Sequence, residues 1–134
     1  MSAEKVVYLD SSAIVKLVVR EPETDALRRF LRRRSTLISS ALARTEVLRA
    51  VVAYGNPALK TAEAVLGRLE LLRINDQVLR AAGLLPPAEL RTLDAIHLAS
   101  ALMLKPSLTS IVCYDTRLGE AATECGLAVT SPGG

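Results

Sequence analysis

The feature that most constrains this sequence is an alternation of short apolar runs with longer segments of helical pattern. The short runs are rich in β-branched residues and predict five strands: Lys5–Leu9, Thr36–Ser39, Leu69–Ile74, Ser110–Tyr114 and Leu127–Thr130. Because apolar residues dominate these runs, both faces of their sheet should be covered. Strands that alternate with helices of about 10–15 residues favour right-handed βαβ crossovers. The pattern therefore predicts an α/β fold with three layers, α/β/α, around a central parallel sheet.

Composition limits the domain organisation and the compartment. The chain has 134 residues, half of them hydrophobic and 23% charged, which suits one domain with its own core. Its apolar runs are far shorter than the ~20 residues of a membrane helix, and Glu4 and Asp10 come too early for a secretory signal. The two cysteines form neither a metal-ligand pair nor a disulfide framework. We expect a single cytoplasmic domain over residues 1–134, away from membranes, with a disordered tail at Ser131–Gly134.

Two aspartates follow strands whose carboxyl ends should meet at one edge of the sheet. Asp10 closes the first strand, and Asp115 follows the run Ser110–Tyr114. Ligands of open parallel sheets bind beyond this edge, so both carboxylates are candidate site residues. Either aspartate could instead serve only as a helix N-cap, a position that this residue type fills well.

Two further carboxylates fall where the helical pattern predicts the core. On a helical wheel, Glu46 lies inside the apolar arc of its helix, whereas Arg44 and Arg49 lie outside it. Asp94 stands in the first turn of a helix that is apolar nearly all round. A buried carboxylate needs a cation or strong donors. An ion pair with a buried arginine stays open for Glu46, and a second capping role stays open for Asp94.

These four carboxylates would repel one another if they met, so something must neutralise them. Hard divalent cations with oxygen ligands are the natural partners. An acidic cluster that holds Mg²⁺ or Mn²⁺ commonly performs phosphoester chemistry, in which the metal activates water and stabilises developing charge. We therefore expect a divalent cation to neutralise Asp10, Glu46, Asp94 and Asp115.

Four segments carry a family pattern: YLDSSAIVKL, ARTEVLRA, LRTLDAIHLASAL and VCYDTRLGEAA. In order and spacing they resemble the PIN-domain ribonucleases, and most closely the VapC-type toxins of bacterial toxin–antitoxin pairs. The resemblance spans Val6 to Val129. It implies a PIN-like fold and an endoribonuclease that depends on Mg²⁺ or Mn²⁺ and is restrained by a cognate antitoxin. It also implies that Asp10, Glu46, Asp94 and Asp115 form the catalytic and metal-binding quartet, in which Asp10 and Asp94 ligate the metal directly. Ser12 would hold Asp10 or the attacking water.

Basic residues near the acids are candidate contacts to the RNA backbone. Arg117 follows Asp115 by two residues, at a helix start where a cation opposes the helix dipole, and Arg91 precedes Asp94 by three. With one phenylalanine and three tyrosines, the chain is poorly suited to a base-stacking platform. The run Arg28–Arg34 could contact phosphates or form a solvated helix face.

Partner contacts and two other functions complete the expectations. Leu48 and Val52 lie opposite the apolar arc of their helix and are candidates for a homodimer or antitoxin contact. His97, the single histidine, lies in an apolar helix and is expected to be packed rather than catalytic. A PIN-type RNA-processing nuclease outside a toxin pair stays open, as does a non-catalytic receiver-type signalling module, which also gathers acids at strand ends.

Overall fold

A parallel sheet forms the centre of the computed structural model, which describes residues 5–33 and 36–134. The described residues contain five strands: β1 (Val6–Leu9), β2 (Thr36–Ser40), β3 (Glu70–Leu72), β4 (Ser110–Val112) and β5 (Val129–Thr130). Their order across the sheet is β3-β2-β1-β4-β5, and every neighbouring pair is parallel. The five predicted strands are confirmed, with small differences in their bounds.

The helices lie between these strands as the alternation predicted. They are α1 (Ser11–Lys16), α2 (Thr24–Leu31), α3 (Ala43–Val51), α4 (Asn56–Gly67), α5 (Asp76–Leu84), α6 (Thr92–Leu102) and α7 (Thr116–Glu124). A 3₁₀ turn, Val52–Tyr54, follows α3, and Pro57 stands in the first turn of α4, where its missing N–H costs no hydrogen bond. Within 5–33 and 36–134, no helix has the length and apolar character that crossing a membrane requires.

Successive side chains of a strand point to opposite faces of the sheet, and the helices pack on these two faces as two layers. In β1, Val7 and Leu9 pack in one hydrophobic cluster with residues of α1 to α4, whereas Tyr8 packs in another with α6 and α7. A third cluster joins α5 to α6. Both faces of the sheet are therefore covered, which confirms the three-layer α/β/α fold.

The chain changes direction across the sheet between β1 and β4. From β1 it passes through α1 and α2 to β2 on one side, and from β4 it passes through α7 to β5 on the other. Such a switch point leaves a crevice beyond the carboxyl ends of the two strands. Asp10 directly follows β1 and Asp115 closely follows β4, so both aspartates flank this crevice.

The capping roles that the sequence left open differ between α1 and α6. The carboxylate of Asp10 caps α1 by accepting a hydrogen bond from the N–H of Ala13, and Ser11 is the first helical residue. The end of β1 places this carboxylate where it can accept from the first turn of the helix. In contrast, α6 begins at Thr92 without a side-chain cap, so Asp94 has no capping role there.

Hydrogen bonds join the segment Ser131–Gly134, predicted to be a disordered tail, to the residues that follow β4. The Ser131 hydroxyl donates to the Cys113 carbonyl at 2.6 Å, and the Tyr114 hydroxyl donates to the Pro132 carbonyl at 2.8 Å. The N–H of Gly134 donates to the carbonyl of Ser131 and closes a turn.

Candidate active site

The four predicted acids reach the crevice from different parts of the fold. Asp10 follows β1 and Asp115 caps α7, while Glu46 lies on α3 in one helical layer and Asp94 on α6 in the other. Burial raises the pKa of Asp94, and the charges of Asp115 and Glu46 raise it further against the opposing effect of Arg91. The structure therefore brings the predicted quartet into one neighbourhood, where the acids influence one another electrostatically.

Asp10 is the most buried of the four acids, with 5% of its surface exposed. Its Oδ1 accepts hydrogen bonds from the Ala13 N–H and the Ser12 hydroxyl, both at 2.9 Å, and Ser12 also lies 3.0 Å from Oδ2. Burial raises the pKa of Asp10, these hydrogen bonds lower it in part, and the charge of Asp94 raises it again. Ser12 thus holds Asp10, the first of its two predicted roles.

Arg91 bridges two of the acids from the solvent side. Its Nε lies 3.6 Å from Oδ2 of Asp94, and its Nη2 lies 3.9 Å from Oδ2 of Asp115. Asp115 uses its other oxygen, Oδ1, to accept the N–H of Leu118 at 2.9 Å, so it is a helix cap and a site residue together. Because the Arg91 side chain is 74% exposed, it can leave these carboxylates at low cost.

Glu46 is paired with a histidine, not with the buried arginine that stayed open from the sequence. Its Oε1 accepts the Ser11 hydroxyl at 2.6 Å and lies 2.7 Å from Nε2 of His97. Burial pushes the pKa of Glu46 upward, but the hydrogen bonds from His97 and Ser11 outweigh it and hold the pKa below its usual value. His97 is packed as expected, with 2% of its surface exposed, yet it also contacts the site.

The oxygen-rich donor set suits a hard divalent cation. All four side chains offer carboxylate oxygens, and the anionic forms of Asp10 and Asp94 are penalised by burial and by neighbouring carboxylates. In the described part of the chain, however, no three Asp, Glu, His or Cys side chains are already close enough to hold a metal ion together. The carboxylate oxygens are therefore suitable ligands for a divalent cation, and in this structure Arg91 lies beside Asp94 and Asp115 and offsets their charge.

A cleft of about 450 Å³ opens beside the acids. Among the residues that line it are Ser11, Ser12, Lys16, Glu46, Tyr114 and Asp115. Lys16 donates to Oε1 of Glu23 at 2.8 Å, and its ammonium lies 4.5 Å from the centre of the Tyr114 ring. Sequence reasoning missed Ser11, Lys16 and Tyr114. A signal for Lys16 existed, since it is the one charge in the apolar stretch AIVKLVV.

The remaining predicted contacts lie farther from the acids. Arg117 is exposed and lines a separate cavity with Pro86, Leu90 and Glu120, and no described contact joins it to the quartet. Its place at the mouth of the site stays a prediction. Arg28 and Arg32 line a groove near Leu31 and Val65, while Arg34, the end of the basic run, lies outside the described residues.

The predicted partner surface on α3 is partly open. Val52 is 57% exposed, whereas Leu48 packs in part against the core. The homodimer and antitoxin contacts at these residues stay predictions.

Comparison with known proteins places this fold and site in a family. The family model described as "PIN domain" matches residues 7–124. The chain belongs to the PIN-domain family. Ribonuclease VapC46 of Mycobacterium tuberculosis (strain ATCC 25618 / H37Rv) is 56% identical over 126 residues, 94% of this chain and 97% of that protein. Ribonuclease VapC47 of the same species (strain CDC 1551 / Oshkosh) is 41% identical over 132 residues, 95% of this chain and 97% of the relative. This PIN domain is therefore a VapC-type ribonuclease.

Solved structures share its architecture. The toxin VapC20 of M. tuberculosis, described as cleaving the sarcin-ricin loop, superposes with a TM-score of 0.71 at 15% identity, covering 94% of this PIN domain and 99% of that chain. A chain of VapBC2 from Rickettsia felis, bound to a DNA fragment from its promoter, gives 0.71 at 14% identity, with 95% and 98% covered. A toxin–antitoxin complex from Klebsiella pneumoniae gives 0.69 at 17% identity, with 98% of each chain covered. At these identities, the likeness shows the PIN fold.

Proposed function

We propose that this PIN domain is the toxin of a toxin–antitoxin pair, an endoribonuclease that hydrolyses RNA phosphodiesters with Mg²⁺ or Mn²⁺. The observation that carries the proposal is that four carboxylates from both helical layers lie around the β1/β4 crevice, near enough for Asp115 and Glu46 to raise the pKa of Asp94. Two of them, Asp10 and Asp94, are held in an environment that penalises their charge. A bound divalent cation would remove this penalty, which gives the acids a reason to be there.

Asp10, Asp94 and Asp115, with Glu46 beside them, would hold the ion. When bound, the ion supplies an activated water and stabilises the charge that develops on the scissile phosphodiester. Asp10 is fixed for this task by the Ala13 N–H and the Ser12 hydroxyl. Glu46 stays a carboxylate because its pKa is lowered, so it can orient the attacking water by accepting a hydrogen bond.

Arg91 would bind the RNA backbone at the entrance to the site. Its guanidinium is exposed and lies within 4 Å of Asp94 and Asp115, so it can exchange these carboxylates for a phosphate. In-line attack of water on phosphorus, with departure of the 3′-oxygen, leaves a 5′-phosphate and a 3′-hydroxyl. Arg117 is a second candidate for the backbone, placed farther along the surface.

The antitoxin partner is supported by the relatives. Two structures of the same fold are described as VapBC or toxin–antitoxin assemblies, and the curated relatives are VapC ribonucleases. An RNA-processing PIN nuclease without an antitoxin is the second candidate, and a small neighbouring gene for a DNA-binding antitoxin would favour the toxin. The receiver-type module is not supported, because the family match is to ribonucleases.

The test is RNA cleavage by purified protein with Mg²⁺, with Mn²⁺ and with a chelator. We expect Asp94→Asn to lose about 100-fold or more in rate, because it weakens a direct metal ligand. Asp76→Asn is the matched control, since Asp76 is an exposed aspartate in the first turn of α5. Undiminished cleavage by Asp94→Asn, or full wild-type activity with the chelator, would refute the proposal.

A further inference from the structure

His97 joins the two helical layers at the site. It comes from α6, and its ring nitrogens reach Tyr8 of β1 and Glu46 of α3. Nδ1 lies 2.8 Å from the Tyr8 hydroxyl, and Nε2 lies 2.7 Å from Oε1 of Glu46 and 3.1 Å from the Ser11 hydroxyl. The four side chains form one hydrogen-bonded chain across the carboxyl end of β1.

The hydrogen-bond partners of His97, Glu46 on one side and Tyr8 on the other, decide which ring nitrogen carries the hydrogen. A carboxylate can only accept hydrogen bonds, and Nε2 lies 2.7 Å from Oε1 of Glu46, so Nε2 is the donor. The fully buried Tyr8 hydroxyl lies 2.8 Å from Nδ1 and can donate its hydrogen to this nitrogen. Ser11 gives its single hydrogen to Glu46. All donors and acceptors are then matched in the Nε2–H tautomer.

The consequence for Glu46 is an asymmetric carboxylate. Both described hydrogen bonds, from Ser11 and from His97, end on Oε1. No hydrogen bond from residues 5–33 or 36–134 reaches Oε2. One oxygen is therefore anchored to the scaffold and the other is left for a ligand of the site.

The place of His97 in the fold argues against a purely packing role. Its neighbours on α6 are buried and apolar, among them Ala95, Ile96, Leu98 and Ala99. Burying an imidazole there costs desolvation that an apolar side chain would avoid, unless both ring nitrogens are hydrogen-bonded. Tyr8 contacts only Nδ1, so Nε2 needs a hydrogen-bond partner of its own, and Glu46 supplies it.

We propose that His97 is a positioning residue of the ribonuclease site, which holds Glu46 by Oε1 through an Nε2–H donor so that Oε2 faces the reacting groups. The inference rests on the proposed function, because it assigns a role toward the same reaction. Tyr8 acts through His97 by fixing the tautomer.

The first test does not depend on activity. His97 is the single histidine of the chain, so a two-bond ¹H–¹⁵N spectrum of the ¹⁵N-labelled full-length protein contains one imidazole pattern. We expect the pattern of the Nε2–H tautomer. An Nδ1–H pattern would overturn the inference, because Nε2 would then have no hydrogen to donate to Glu46.

The second test uses two variants of similar size. The amide nitrogen of His97→Gln can take the place of Nε2, whereas the shorter amide of His97→Asn reaches only the place of Nδ1. We expect His97→Asn to lower kcat about tenfold with KM for RNA changed less than about twofold, and His97→Gln to keep kcat within about threefold of wild type. Equal losses in both variants at equal melting temperatures would contradict the positioning role.

A double-mutant cycle separates action through Glu46 from a general effect on the fold. In a Glu46→Gln background, His97→Asn should change kcat by less than about twofold, since the carboxylate it positions is already gone. A further tenfold loss there would overturn the inference. If Asp94→Asn cleaves RNA as well as wild type, the proposed function itself is refuted. If Asp94→Asn is inactive but His97→Asn keeps the wild-type kcat, only the role of His97 is refuted.

Discussion

Replacing Asp10 with asparagine should stabilise the metal-free protein while it removes activity. The Asp10 carboxylate is almost fully buried, and burial together with Asp94 penalises its charge. Asparagine caps helices as well as aspartate does, so its Oδ1 can keep the hydrogen bond from Ala13. The Ser12 hydroxyl can turn to accept from the new amide. The substitution thus removes the penalised charge and keeps the cap.

The change in the free energy of unfolding depends on the buried charge that is removed and on the helix cap that is kept. Relief of the buried charge should add on the order of 1 kcal/mol to the free energy of unfolding. In a chain of 134 residues, this corresponds to a rise of about 4 °C in melting temperature. Asp10→Ala gains the same relief but loses the cap, which costs about 1 kcal/mol. It should therefore melt about 4 °C below Asp10→Asn.

Thermal melts with EDTA and with Mn²⁺ test both parts of this reasoning. With Mn²⁺ at 100 times its Kd, wild type should gain about 2.7 kcal/mol, or about 10 °C, because the ion binds the folded state alone. Asp10→Asn should gain much less and should not cleave RNA. The reasoning is refuted if Asp10→Asn melts as low as Asp10→Ala in EDTA, or if Mn²⁺ stabilises it as much as wild type.

Three other predictions concern charges around the site and the core beneath it. Arg91→Gln should lower the Mn²⁺ concentration for half-maximal stabilisation about two- to fivefold, because a competing cation worth about 0.5–1 kcal/mol is gone; an unchanged midpoint in calorimetric titration would contradict this. The hydrogen bond from Lys16 lowers the pKa of Glu23, so its stabilisation is present above the unfolded pKa and disappears as pH falls through the folded pKa. Glu23→Gln should therefore lower the melting temperature at pH 7 but not at pH 3, whereas Asp25→Asn, in an exposed ion pair, should change it little at either pH. Val47→Ala, in the fully buried face of α3, should lower the melting temperature by about 7 °C, from a loss of about 2 kcal/mol; a shift below 2 °C would show that the cavity collapses.

The strands and layers could be predicted from the sequence because they rest on local patterns. Apolar, β-branched runs such as Lys5–Leu9 become strands wherever both faces are covered, and β1 indeed has buried side chains on both faces. The start of α1 depends also on tertiary structure, because its cap is the Asp10 carboxylate, which β1 positions at the helix end.

The candidate site was predictable as a set of residue types but not as a set of contacts. Charges at apolar positions identified Glu46 and Asp94, since a buried carboxylate is costly and therefore informative. The histidine partner of Glu46 was not predicted, because His97 is 51 residues away along the chain, in the other helical layer. The helical spacing of Asp94 and His97, three residues apart, was a signal that the two share one face of α6.

The amino-acid sequence by itself determined the alternation of strands and helices, the two aspartates that follow strands, the two carboxylates on apolar helices, and the family pattern around them. These follow from periodicity and from the chemistry of single residues, which neighbours in the chain are enough to set. The tertiary structure alone decided the strand order that juxtaposes β1 and β4, the Arg91 bridge between Asp94 and Asp115, and the Tyr8–His97–Glu46 chain. Such contacts join residues that are distant in sequence, and only the packing of both layers against one sheet brings them within hydrogen-bonding distance.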